Sequence, residues 1–194
     1  MAILFSAQIQ TIRNLRMTDI QTLLNEEDAT GLAERVRRGE VQPIDLLEAV
    51  ILRIEHVEPQ LNAVAERLYE SARSAALDAV KSQGVFAGVP MLIKDLFTPV
   101  NGAVMSNGSL AMGEFRATFD SEVVSRLRRA GCVIAGTTTA PEFGTSYSTE
   151  STRFGAPVTP GASSIAPVVQ VAELLHLWLH GWCPSLTATT AVVR

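Results

Sequence analysis

Two short apolar runs with a helix-patterned stretch between them constrain this chain more than any other feature. Residues 89–93 read VPMLI, an unbroken apolar segment entered through Gly88. Residues 132–135 read CVIA and are closed by Gly136 and the threonines at 137–139. Runs of four or five apolar residues bounded by turn formers are the pattern of strands buried on both faces. Between the two runs, Asp120 can cap a helix through Ala130, with Val123, Val124 and Leu127 turned inward and Gly131 just past its end. Strand, helix and strand at this spacing predict an α/β layer with at least partly parallel pairing.

Ahead of residue 84 the pattern is helical. A short helix is expected over 19–24, and another over 29–38, capped by Asp28, with Leu32 and Val36 on its buried side and Gly39 ending it. Pro43 suits a first helical position, after which Leu46, Leu47, Val50, Ile51 and Ile54 fall on one face. A further helix is expected over 65–82, where Ala, Leu and Val recur at packing intervals. Arg35, Arg37 and Arg38 stand among acidic residues and read as a solvated helix face rather than a phosphate site.

Composition narrows the function classes. With 47% apolar and 19% charged residues, the 194-residue chain has the profile of a soluble globular protein, not of a disordered or collagen-like one. A net charge of −4 supplies no electrostatic footprint for nucleic acid or an anionic membrane. Cys132 and Cys183 make no paired framework, so a reducing, cytoplasmic setting is expected. Residues 1–16 are read as an amino-terminal extension without a targeting signal.

Lys94 is the position that carries chemistry. At the end of the 89–93 run its ammonium would approach the apolar layer, where desolvation disfavours the charged form and lowers the pKa. A lysine made partly neutral in this way can act as a general base. The same placement also allows Lys94 to reach solvent along its stem, or to pair with a carboxylate such as Asp95.

The segment from Gly88 to Asp95, GVPMLIKD, resembles the G-[IV]-P-x-x-[IVL]-K-D stretch of the amidase signature family. The match continues through Gly108-Ser109, Asp120, Val123, Leu127, Ala130-Gly131 and Gly136, then Glu142-Phe143-Gly144, Thr149-Glu150-Ser151, Phe154-Gly155 and Thr159-Pro160. It covers roughly residues 17–160 and is specific as an ordered series. The resemblance implies an α/β/α sandwich around a mixed central sheet, of which this chain would hold the amino-terminal part. It also implies a Ser–cis-Ser–Lys arrangement that hydrolyses amides, with Lys94 as the lysine, a small-molecule amide as substrate, backbone N–H groups holding the oxyanion, and neither metal nor organic cofactor.

The two serines of that arrangement are absent from their places. The family continues with a stretch like P-G-G-S-S-G-G, which holds the bridging serine, and then G-x-D-x-G-G-S, which holds the nucleophile. Here Ser163 and Ser164 lack the flanking glycines and follow Pro160 too soon, so neither role is carried onto them. Residues 161–194 are anomalous throughout: Glu173 and Arg194 are their only charges, and both tryptophans lie among them. A membrane span over 165–183 is interrupted by Pro167, Gln170, Glu173, His176 and His180. His176 and His180 with Cys183 have zinc-like spacing but no fourth ligand, so no metal is expected.

A change of reading frame accounts for this tail. When residues 167–194 are back-translated and each codon's last base is joined to the next two, the degenerate code permits GGSSGGASASVAARLVSLAHGNDGGGS. That string holds both missing motifs in order and at family-like separation. The expected organisation is therefore an extension over 1–16, the amino-terminal part of an amidase-signature domain over 17–160, and out-of-frame residues over 161–194.

Three functions are open at this point. The first is an amide hydrolase by ancestry, without activity in the chain as written. The second is a non-catalytic α/β binding or interaction protein. The third is the A-type component of an amidotransferase for misacylated tRNA, against which Thr137 and Thr139 stand where such components usually have Lys and Asn. The run 139–143 and the stretch 148–151 look closer to general bacterial amidases, including hydrolases of cyclic amides.

Overall fold

The computed structural model describes residues 16–157. Three helices lead: α1 (Met17–Glu26), α2 (Ala29–Arg37) and α3 (Pro43–Leu61). They are followed by β1 (Val64–Arg67), α4 (Tyr69–Ala79), β2 (Pro90–Lys94), α5 (Glu122–Arg129) and β3 (Val133–Thr138), with 3-10 turns at Leu110–Met112 and Glu142–Gly144. The sheet runs β1-β3-β2, with β2 parallel and β1 antiparallel to β3. This is the mixed sheet expected of the family fold.

Local signals place the helices as the sequence implies. The Asp28 carboxylate accepts from the Gly31 N–H at 2.8 Å, and Pro43 occupies the first turn of α3. Leu46, Leu47, Val50, Ile51 and Ile54 are all buried. Residues on β3 alternate between two cores, as the two-residue period of a strand requires. Val133 and Ala135 pack with Leu47, Ile51, Ala72 and Ala76 of α3 and α4, whereas Ile134 packs with Ile93, Val100 and Val124. Helices thus cover both faces of the sheet.

Four local expectations are corrected. Residues 65–82 are not one helix: Val64–Arg67 forms β1, and α4 begins only at Tyr69. Ala65, Glu66 and Arg67 are good helix formers, but pairing of β1 with β3 outweighs that preference. Asn62, in the left-handed region at φ 51°, ends α3, and the Glu58 carboxylate accepts from the N–H groups of Ala63 and Val64 as the chain turns into β1.

At α5 the cap is Ser121, not Asp120. Asp120 instead accepts from Asn101 N at 2.8 Å and from Arg128 Nε at 2.9 Å. Val123 is 59% exposed, because Val124 takes the centre of the buried face and Val123 lies about 100° around the helix from it. The second strand runs on to Thr138, since Gly136 and the threonines continue the ladder with β2. Gly131 does sit past the end of α5, at φ 94°, where a Cβ would come within 2.6 Å of Ala87 Cα. The 1–15 part of the amino-terminal extension and residues 158–194, with Ser163, Ser164, His176, His180 and Cys183, lie outside the described residues.

Candidate active site

Lys94 is the last residue of β2 and pairs with Thr138, the last of β3, and the Asp95 N–H donates to the Thr138 carbonyl at 3.0 Å. The two parallel strands therefore end together, and Lys94 stands half-buried at their carboxyl-terminal end, where open α/β sheets hold their ligands. The loops that leave β2 and β3 build the surroundings.

Asp95 turns back into the protein. It is buried, and its carboxylate accepts from the Ser106 N–H at 3.0 Å and from the Ser106 hydroxyl. Burial pushes its pKa up, opposed by the Ser106 hydrogen bonds and the Arg153 charge. Next to Ser106, the Asn107 side-chain oxygen accepts from Phe97 N at 2.7 Å while its carbonyl accepts from Phe143 N at 2.8 Å. One asparagine therefore ties the loop after β2 to the loop after β3.

Gly108 permits the close approach of these loops. Its φ is 70°, and a Cβ there would lie 2.4 Å from the Ala140 carbonyl oxygen. The Ser109 hydroxyl then donates to Glu142 Oε1 at 2.5 Å. Gly108-Ser109 and Glu142-Phe143-Gly144, two separate pieces of the family-like series, are thus brought into contact. Behind them, the hydroxyls of Thr137, Thr138 and Thr139 are buried without hydrogen-bond partners.

A cavity of about 130 Å³ opens among Glu66, Asp95, Ser106, Arg116, Thr137 and Arg153. Its charges are largely spent on one another: Arg116 pairs with Glu66 at 2.7 Å and Arg153 with Glu114 at 2.8 Å. Among the described residues no cluster of His, Cys, Asp and Glu could hold a metal ion, and no helix is long and apolar enough to cross a membrane.

The sequence singles out Lys94 but not the loop contacts at this end of the sheet. The contact between Asp95 and Ser106 and that between Ser109 and Glu142 join residues 11 and 33 positions apart, which no local pattern reports. The one available signal was the Ser106-Asn107-Gly108-Ser109 run, whose residue types favour turns.

Comparison with known proteins agrees with this architecture. The family model described as Amidase matches residues 45–167. The 6-aminohexanoate-cyclic-dimer hydrolase of Pseudomonas sp. (strain NK87) is 38% identical over 164 residues, covering 80% of this chain and 33% of that protein. The A component of the glutamyl-tRNA(Gln) amidotransferase of Lachnospira eligens is 36% identical over 138 residues, covering 68% of this chain and 28% of that one. A solved structure of 6-aminohexanoate cyclic dimer hydrolase superposes with a TM-score of 0.68 at 36% identity, covering 77% of this chain and 32% of that chain. The chain belongs to the amidase family. It spans about a third of the length of the curated relatives it matches.

Proposed function

We propose that residues 17–160 are the amino-terminal part of an amidase-signature hydrolase that cleaves carboxylic amide C–N bonds, with Lys94 as its base. The observation that carries this reading is the place of Lys94, at the shared carboxyl-terminal end of two parallel strands whose following loops are joined by the Ser109–Glu142 and Asn107–Phe143 hydrogen bonds. A neutral lysine there would take a proton through a bridging serine from a second serine, whose oxygen attacks the amide carbonyl. The proton returns to the departing amine as the C–N bond breaks, and water then hydrolyses the acyl-serine. The substrate is a small-molecule amide, and a reducing, cytoplasmic location accords with the free, buried thiol of Cys132.

Residues 161–194 are read as out-of-frame translation that replaces both serines. The chain as written then holds a base without its hydroxyl partners and turns over no amide. The codons from 160 to 194 test the frame: the reading fails if the shifted frame does not spell the two glycine–serine motifs. Assay of the purified chain on simple acyl amides tests activity. Turnover that Lys94→Ala abolishes would overturn the assignment of a silent chain.

The amidotransferase reading is supported by the 36% identity to the glutamyl-tRNA(Gln) amidotransferase component. Thr137 and Thr139 weigh against it, as does the higher identity and wider coverage of the cyclic-dimer hydrolase.

A further inference from the structure

Of the chain's five asparagines, Asn101 and Asn107 are each followed by glycine. An Asn-Gly bond carries chemistry of its own, because glycine has no side chain to obstruct attack of its backbone nitrogen on the asparagine amide carbon. Both pairs lie in the loop that leaves β2, six positions apart, so the sequence gives them equal standing. The fold does not.

Asn101 and Gly102 are exposed at the tip of a β-turn, closed by the Ala103 N–H on the Val100 carbonyl at 2.9 Å. The turn is held through its backbone: the Asn101 N–H donates to Asp120 and the Gly102 N–H to the Ala117 carbonyl, both at 2.8 Å. Among the described residues no hydrogen bond restrains the Asn101 side-chain amide. Chain neighbours apart, no atom lies within 4 Å of where a Cβ on Gly102 would stand, which leaves room for a ring to close and for water to approach.

Asn107 is gripped on every side. It is buried, its side-chain oxygen accepts the Phe97 N–H at 2.7 Å, and its carbonyl accepts the Phe143 N–H at 2.8 Å. The Gly108 N–H donates to the Ser106 hydroxyl oxygen at 3.2 Å. Ring closure here would have to pull the side chain off Phe97, at a glycine whose Cβ would already lie 2.4 Å from the Ala140 carbonyl oxygen.

We infer that Asn101 is a site of spontaneous covalent modification, with water as co-reactant, and that the fold protects Asn107 from the same reaction. The Gly102 nitrogen gives its proton to solvent and bonds to Cγ of Asn101. The Cγ–Nδ2 bond breaks and ammonia leaves, so that a succinimide remains. Water then opens that ring at either carbonyl, giving aspartate or isoaspartate, the latter with its backbone routed through the side chain. Attack at Asn101 needs the Gly102–Ala117 bond to open in an exposed turn, a local and cheap event, whereas attack at Asn107 needs the joined loops to come apart. Either product places a new carboxylate on the residue whose N–H Asp120 accepts.

The test incubates the full chain in mildly alkaline buffer, folded and in guanidinium chloride, and digests both with trypsin. The two asparagines fall in one tryptic peptide, 95–116, so fragment ions assign the mass gain of amide-to-acid conversion to one residue or the other. In guanidinium chloride the two are expected to convert at comparable rates. In the folded chain Asn101 is expected to convert at least about tenfold faster than Asn107. Asn101→Ser should remove the early product and leave Asn107 intact. Equal rates in the folded chain, an excess at Asn107, or an Asn101 that stays intact while the chain is folded would overturn the inference.

Discussion

The Asp95 carboxylate receives both the backbone N–H and the hydroxyl of Ser106, and so anchors the far loop to the residue beside Lys94. Both residues are buried. Replacing Asp95 by Ala strands two donors away from water, which costs about 1–3 kcal/mol for each group left unsatisfied. Urea unfolding is expected to show Asp95→Ala destabilised by about 3 kcal/mol and Ser106→Ala by about 1 kcal/mol. Equal midpoints for Asp95→Ala and the parent would mean that another contact holds the loop.

Glu58 is a second buried carboxyl, and it lends the fold a distinctive pH response. Burial is the largest influence on its pKa and pushes it up, against hydrogen bonds from Val64 and Ala63 that pull it down. A carboxyl whose pKa is higher folded than unfolded adds stability below its unfolded value, near 4.3 for Glu, and loses that contribution as pH rises through the folded value. Wild type is therefore expected to lose stability relative to Glu58→Gln as pH is raised from about 4 to about 7. Urea midpoints across that range check the sign. A difference that stays flat, or grows with pH, would refute it.

At Phe97 the backbone and the side chain pull in opposite directions. The left-handed region costs roughly 1–2 kcal/mol per residue with a Cβ, and a side chain 65% exposed recovers little by burial. Phe97→Gly is expected to be more stable than Phe97→Ala by about 1 kcal/mol, the reverse of their order in helices and strands. Thermal or urea unfolding of the pair decides it. If Ala proves the more stable, the backbone at this position is not held left-handed in solution.

The sequence carried the period-dependent features and little of what depends on distance along the chain. The buried face of α3, the Asp28 cap and the strand ending at Lys94 all follow from neighbours within a few residues. β1 was hidden because Ala65, Glu66 and Arg67 favour helix in isolation and become strand only by pairing with β3. The threonines at 137–139 looked like a loop because their hydroxyls are polar, yet they are buried and Thr137 and Thr138 extend β3. Lys94 could be singled out, but its surroundings are built from loops far apart in the chain that meet only in the fold.

The start of α5 separates local from tertiary roles in one pair of residues. Ser121 Oγ accepts from Val124 N at 3.4 Å, a long cap, whereas Asp120 joins Asn101 N and Arg128 Nε at 2.8 and 2.9 Å. Loss of an N-cap costs about 0.5–2 kcal/mol, and so long a contact belongs at the low end. Asp120→Ala removes two shorter bonds, one to a charged group and one that ties the loop at Asn101 to the helix. Chemical denaturation is expected to rank Asp120→Ala below Ser121→Ala, by about 2 against about 0.5 kcal/mol from the parent. The double variant should fall short of their sum, because both changes loosen the same helix start. The opposite ranking would mean that the Ser121 cap, and not the contacts of Asp120 to Asn101 and Arg128, holds this turn.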